Sequence, residues 1–366
     1  MEKNSKRRPF AAGIIYGASL LILSLCVLLV VWMATPAKLG TDDDTVVPWE
    51  ESAPYAPALV EAADMMALAE PEPAIEPEPI PEPEPEPEPK PEPQALLSTY
   101  APFQGQMMGC ILIGMEEGAE YELKATHLDG NIATFPLEAQ LAALIAVPPD
   151  AKTGVHTLSV IQVVGKEKTV VLELAYVVQK TTFTRQDLTV TEDLTEIRTD
   201  NNINLDNNKI GSARAKTAPM PLWEGAFIQP VEGRISTEFG QVRYTNGQYT
   251  SRHSAIDIAA PEGTAVKAPA GGQVVFADEL IVSGNTIIID HGLWLFTTYC
   301  HMSALDVAVG DEVKAGDIIG KVGSTGYATG PHLHYAAAIK STRFNPDFLK
   351  EQDPLGFLAA DNLLSR

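Results

Sequence analysis

Every second residue from 81 to 93 is proline, mostly alternating with glutamate. Proline holds φ near −65° and has no backbone N–H, so this run excludes both helix and sheet. Like charges on the intervening glutamates resist compaction. The surrounding segment, residues 34–94, is low in aromatics and rich in Pro, Glu and Ala. It reads as an extended acidic spacer that rises ~3.1 Å per residue in the polyproline conformation, or roughly 70 Å over residues 71–93. A stalk is favoured over a loose tether, because alternating proline is a poor way to build a merely flexible linker.

The chain has 366 residues, room for two or three domains. It carries 26 basic and 48 acidic residues, 26 − 48 = −22, and much of the acid lies in the spacer. That balance argues against nucleic acid as a partner, since phosphate binding calls for basic patches. The three cysteines, Cys26, Cys110 and Cys300, have no zinc-finger spacing and are too few for a disulfide scaffold.

Ahead of the spacer, residues 9–37 carry no charge, and residues 11–33 are almost wholly apolar. A helix of that length reaches about 30 Å, enough to cross a bilayer. Lys3, Lys6, Arg7 and Arg8 precede it, and Lys38 and then Asp42, Asp43 and Asp44 follow. Positive charge stays inside. The expectation is a single-pass membrane protein with residues 1–10 cytoplasmic, a transmembrane helix at 11–33, and the remainder extracytoplasmic. The competing reading is a cleaved signal peptide, for which 34–37 (Ala-Thr-Pro-Ala) weakly resembles a cleavage region. Its apolar stretch would normally be only ~7–15 residues. Leu25 before Cys26 does not fit a lipoprotein signal.

Residues 95–190 contain short apolar or alternating runs at 110–115, 120–126, 156–164 and 169–178, separated by turns such as 128–131 (Leu-Asp-Gly-Asn) and 148–150 (Pro-Pro-Asp). This pattern predicts a small antiparallel β-sandwich, with a helix fitting around 137–145. His127 and His156 each stand alone here, without a neighbouring ligand set, and read as ordinary strand or surface histidines. Residues 191–222 are polar and Asn-rich and read as a linker, with partial packing on a neighbour as the further reading.

From residue 223 to 347 the chain is rich in glycine and short β runs, the pattern of an all-β domain with tight turns. Residues 348–366 read as a tail. This domain holds His253 and Asp257, then His301, then His332 and His334, in that order. Taken as a strand, residues 252–258 turn His253, Ala255 and Asp257 to one face and Ile256 and Ile258 to the core. The same alternation turns His332 and His334 together and sends Leu333 inward. Gly323, Gly326 and Gly330 precede that pair and permit close backbone approach. Hydrolytic zinc sites have three protein ligands and an open position. His253, Asp257 and one of His332 or His334 supply three, leaving His301 and the other histidine. Zinc lowers the pKa of bound water toward ~7. No His-Glu-x-x-His helix supplies a glutamate base, so histidine must take that role. A lone His-x-His is weak evidence; the whole ordered series within one domain is strong. His291, Cys300 and Tyr299 read as structural or core residues; Arg243 and Tyr244 read as an exposed loop in preference to the alternative that they line a substrate groove.

Residues 253–263 (His-Ser-Ala-Ile-Asp-Ile-Ala-Ala-Pro-Glu-Gly), Gly284-Asn285, 290–292 (Asp-His-Gly), 299–303 (Tyr-Cys-His-Met-Ser) and 323–334 (Gly-Ser-Thr-Gly-Tyr-Ala-Thr-Gly-Pro-His-Leu-His) together resemble the lysostaphin-type, LytM-like zinc endopeptidases, which cleave peptide cross-links in peptidoglycan. The resemblance covers roughly 225–347. It implies one zinc per chain on His253, Asp257 and His334. It implies that His301 and His332 are the catalytic pair, and it marks Asn285 for substrate contact. Ala255 departs from the family's usual glycine between the two ligands. A looser likeness extends to the preceding β domain, which ends in 183–188 (Phe-Thr-Arg-Gln-Asp-Leu). The implied function is a membrane-anchored zinc peptidase facing peptidoglycan, with other cell-envelope proteins as further partners. The alternative is a non-catalytic wall scaffold or activator of other hydrolases, to which relatives with degraded sites belong. Retention of all five polar site residues favours the enzyme.

Overall fold

The computed structural model describes residues 92–116, 118–137 and 140–356, all within one compact unit, Glu84–Arg366. The expected transmembrane helix at 11–33, the spacer up to residue 91 and the tail beyond residue 356 lie outside the described residues. Among the described residues no helix is long and apolar enough to cross a membrane.

The first seven strands are β1 (Gln94–Leu97), β2 (Met107–Ile113), β3 (Glu120–Ala125), β4 (Phe135–Leu137), β5 (Gln140–Ala146), β6 (Gly154–Val164) and β7 (Glu167–Val178). They form two antiparallel sheets, ordered β1-β2-β5-β4 and β3-β6-β7. The two sheets share a core of Met108, Cys110, Leu112, Leu123, Ile145, Leu158, Val160 and Tyr176. A sandwich is thus present, but in place of the helix expected around 137–145, Leu137 ends strand β4 and residues 140–146 form strand β5. Its Ala- and Leu-rich sequence suits a helix, yet pairing with β2 on one side and β4 on the other decides the outcome.

β2 and β5 read as unbroken apolar runs because both their faces are buried. Met108, Cys110 and Leu112 enter the sandwich core. Met107 and Ile111 point the other way, with Ala142, Leu144 and Ala146 of β5, into a second core built with Trp223, Phe227, Leu293, Leu295, Ala337, Ile339, Phe344 and Leu349. The sandwich and the following domain therefore share apolar interior instead of meeting across a polar hinge.

The residues read as a linker are structured. β8 (Arg185–Leu188) is followed by α1 (Glu192–Ile197) and α2 (Asp200–Ala213). Thr199 caps α2, its hydroxyl accepting from the Asn202 amide at 3.2 Å. Asp206, buried on α2, accepts backbone N–H bonds from Ile281 (2.9 Å), Val282 (2.8 Å) and Ser283 (3.1 Å). The chain after α2 is held by Asp290, which accepts from the Thr217 hydroxyl (2.8 Å) and the Ala218 amide (2.9 Å). Packing of this segment on a neighbour is thus present, and polar side chains hold it where apolar residues are sparse.

The remaining elements are β9 (Arg234–Thr237), β10 (Val242–Thr245), β11 (Gln248–Arg252), β12 (Ile256–Ala259), β13 (Ala265–Lys267), β14 (Gly272–Leu280), β15 (Gly284–Asp290), β16 (Leu295–Met302), β17 (Ala304–Leu305), β18 (Glu312–Val313), β19 (Ile318–Lys321), β20 (His332–Ile339), β21 (Thr342–Phe344) and α3 (Asp347–Glu351). One large antiparallel sheet runs β18-β14-β15-β16-β20-β12-β9, with β21 on β20. Two three-stranded sheets flank it, β13-β19-β17 and β11-β10-β8. In the latter, β8 pairs in parallel with β10, so residues 185–188 join the second domain's sheet and not the sandwich. The tail expected from residue 348 is packed as far as 356: Leu349 and Leu355 are buried and the Trp223 indole donates to Asp353 at 3.1 Å.

Replacing Asp206 with alanine leaves three amides of 281–283 without their acceptor. The expected loss is on the order of 2–3 kcal/mol, read by urea denaturation, with faster amide exchange concentrated at 281–283. Unchanged exchange there would mean α2 does not order the loop.

Candidate metal centre and groove

The strand expected over 252–258 is interrupted. β11 ends at Arg252 and β12 begins at Ile256, and residues 253–255 bend between them. The bend is pinned by Gly240 N–H donating to the His253 carbonyl (2.6 Å) and by His253 N–H donating to Gln241 (2.9 Å). Ala255 is fully buried. His253 thus reaches the site from a bend and Asp257 from a strand.

Asp257 on β12 lies directly across from His334 on β20, and His334 in turn lies across from Cys300 on β16. Leu333, Ile256 and Ile258 are buried on the opposite face in the core beneath, as alternation predicts. His332 and His334 share the polar face.

Three donor atoms meet at one point. Asp257 Oδ1 is 3.0 Å from His253 Nε2 and 2.8 Å from His334 Nδ1, and the two nitrogens are 3.2 Å apart. Ligands at the 2.0–2.1 Å bond lengths of zinc in tetrahedral geometry lie about 3.3 Å from one another. The triangle therefore fits one face of such a tetrahedron. The donor chemistry fits as well. A carbonyl oxygen can only accept, so His253 Nδ1 carries a hydrogen toward the Glu238 carbonyl (3.2 Å), leaving Nε2 with its lone pair turned on a carboxylate. Lone pairs so arranged repel unless a cation or a shared proton lies among them. Among the described residues this trio is the one grouping of histidine, cysteine and acidic side chains with metal-binding spacing. Burial acts to raise the Asp257 carboxyl, but the adjoining His253 and His334 imidazoles outweigh it and hold the group far below the usual carboxylate range.

His301 and His332 attend this point, their ring centroids 4.9 Å apart. His301 Nδ1 faces the Thr325 carbonyl at 2.8 Å and His332 Nδ1 faces that of Gly330 at 2.8 Å. Both Nδ1 atoms are therefore hydrogen-bearing. His332 Nε2 lies 3.8 Å from Asp257 Oδ1. Burial, with the neighbouring His334 and His332, pushes the His301 imidazole down to about 3. His301 has φ of 62°, unusual for any residue but glycine. The β15–β16 register shifts beside it. That irregularity breaks strand alternation, so Cys300 and His301, though adjacent, both line the groove. Burial pushes the Cys300 thiol up to about 11, as befits a core cysteine.

Two of the three glycines noted in the sequence are forced by close approach. A Cβ on Gly323 would lie 2.4 Å from the Ser303 amide, and one on Gly326 would lie 2.5 Å from that of Gly284. Gly330 has open space around it.

Asn285 does not line the groove. Its side chain donates to the Met302 carbonyl at 3.0 Å. Arg243, expected in an exposed loop, is a half-buried strand residue 3.7 Å from Asp257 Oδ2, and its Nε donates to Gln186 at 2.8 Å. The parallel β8–β10 pairing brings Gln186 there, which no local signal could reveal. Arg198, Arg252 and Tyr327 complete that wall of a groove of about 430 Å³. His291 is buried and bonded to the Gly271 carbonyl and the Thr297 hydroxyl, both at 2.7 Å, a structural role. His127 and His156, read as isolated, share a cluster with Tyr176, with His127 and His156 ring centroids 5.7 Å apart.

Residues 251–346, which hold all five polar site residues, match the profile of Peptidase family M23. This segment is an M23 peptidase domain. M23 enzymes are metallopeptidases, typically of zinc. The DD-carboxypeptidase/endopeptidase Mpg of Neisseria meningitidis is 40% identical over 156 residues, covering 39% of this chain and 36% of that protein. The peptidoglycan DD-endopeptidase ShyA of Vibrio cholerae is 36% identical over 113 residues, 31% of this chain and 26% of its own. Matches thus span about a third or less of these relatives. Among solved structures, the catalytic domain of the antimicrobial peptidase lysostaphin from Staphylococcus simulans is 34% identical, covering 35% of this chain and 92% of that one, with a TM-score of 0.26.

Purified protein is expected to hold about one zinc per chain by elemental mass spectrometry, as three-ligand sites do. Asp257→Ala should remove it. Full zinc retention in that variant would dismiss the ligand assignment.

Proposed function

We propose that this protein is a membrane-anchored, zinc-dependent endopeptidase that hydrolyses peptide bonds in peptidoglycan. The observation that carries the reading is the meeting of His253 Nε2, His334 Nδ1 and Asp257 Oδ1 at one point, attended by two imidazoles that take no part in the trio. His253, Asp257 and His334 would hold the ion. Zinc bound there would supply Lewis acidity toward a carbonyl oxygen and toward water. Because its Nδ1–H is committed to the Thr325 carbonyl, His301 keeps Nε2 free to take a proton from the attacking water. The proton that His301 takes from water is the one available to the leaving amine. His332 is held the same way by Gly330, so its Nε2 is the atom turned to the carbonyl oxygen and, with the imidazole protonated, would donate a hydrogen bond to it.

Arg198, Arg243 and Arg252 line the groove, and Asp257 is the one carboxylate among its lining residues. In a chain with net charge −22 this local excess of positive charge supports a peptide substrate bearing carboxylates. Peptidoglycan is further supported by the names of the relatives, a DD-endopeptidase and a DD-carboxypeptidase/endopeptidase. Anchoring rests on the apolar run at 11–33 and its flanking charges. The Pro/Glu-rich run at 71–93, read as an extended spacer, supports the same reading.

Incubation with defined peptidoglycan fragments should yield new amino and carboxyl termini identifiable by mass spectrometry, and the position of the new amine names the bond. His301→Ala should retain zinc and lose roughly 10²–10⁴-fold in kcat. Loss of the metal in that variant would reassign His301 as a ligand, and undiminished cleavage would remove it from the chemistry.

A further inference from the structure

Away from the groove, a second pocket of about 430 Å³ opens between the C-terminal end of α2 and the β20–β21 turn. It shares no lining residue with the groove. Its walls carry Arg214, Arg343, Lys340, Asn207, Ser341 and Trp294, with no carboxylate among the lining residues.

Arg214 is only 7% exposed. One end of its guanidinium donates to the Thr298 hydroxyl, while its Nε is buried with no acceptor. Arg343, on β21, likewise has a buried Nη1 with no acceptor. Among the described residues no carboxylate lies within ion-pair distance of either. Arginine does not shed its proton in proteins, so both remain charged. Burial works against each charge, and Arg343 works further against Arg214. Two neighbouring cations, Arg214 buried and Arg343 half-buried, each with a buried idle donor, form an arrangement that native proteins rarely leave uncompensated. The other polar walls are donors too. The Lys340 ammonium stands 5.6 Å from the Trp294 ring, at the mouth of the same pocket.

We infer that this pocket is an oxyanion-binding site, in which Arg214 and Arg343 take a carboxylate or phosphate group and Lys340, Asn207 and Ser341 complete its coordination. The planar guanidinium fork matches both groups. Carboxylates occur on peptide ligands and phosphates on free phosphate or on phosphorylated polymers, and the two are separable by probe.

The test is thermal unfolding of the full chain in inorganic phosphate, in acetate and in chloride of equal ionic strength. It compares the unaltered protein with Arg343→Met and Asp257→Asn, the latter to expose any anion bound at the metal centre. Phosphate or acetate should raise the midpoint over chloride by roughly 2–4 °C. Asp257→Asn should keep that rise and Arg343→Met should lose it. In chloride alone Arg343→Met should melt no lower than the unaltered protein, because it removes a half-buried, unpaired charge. The anion giving the larger rise identifies the ligand class. Absence of a rise in the unaltered protein, its persistence in Arg343→Met or its loss in Asp257→Asn would each overturn the assignment.

Discussion

The antiparallel pairing of β12 with β20 is the constraint on which the site depends. It sets Asp257 opposite His334 and leaves the carboxylate oxygen 2.8 Å from the imidazole nitrogen. The register is held by what lies beneath. Ile256, Ile258 and Leu333 are buried in one core, so a slip by one residue would turn them to solvent and drive the ligating groups inward. The apolar face thus specifies the position of the polar one. His253 is brought in separately, by a bend whose backbone is tied to Gly240 and Gln241.

Around this frame the chain tolerates local strain. The positive φ of His301 and the shifted β15–β16 register depart from regular sheet geometry. They are held by specific contacts: His301 N–H to the Ser283 carbonyl at 2.9 Å, and His301 Nδ1–H to the Thr325 carbonyl. Each of those acceptors is itself fixed. Ser283 is bonded to Asp206 of α2, and the Thr325 hydroxyl donates to the Met302 carbonyl at 2.9 Å. Gly326 and Gly284 approach more closely than any side chain would allow. The proposed catalytic geometry is thereby held in place by residues outside the trio and its two attendant imidazoles.

The preceding sandwich belongs to the same scaffold. Strands β2 and β5 serve two cores at once, one within the sandwich and one shared with Trp223, Leu295 and Phe344. β8, which follows the sandwich in sequence, contributes Gln186 to the groove wall.

Much of this was legible in the residues alone. Two-residue periodicity gave the sandwich and the inward Leu333, and the ordered series from His253 to His334 marked the five side chains that the fold brings together. Local pattern was also enough to separate structural His291 from that series. What it left undetermined depended on contacts distant in sequence. Residues 140–146 became a strand because β2 and β4 flank them, and 200–213 a packed helix because Asp206 found three unpaired amides. Arg243 reached Asp257 because β8 paired in parallel with β10, and Arg214 met Arg343 with no carboxylate of the described residues within ion-pair distance of either. Composition and periodicity report which face of an element is apolar. They do not report which other element that face, or a lone polar group, will meet, because that choice is made by the energy of the whole packed chain.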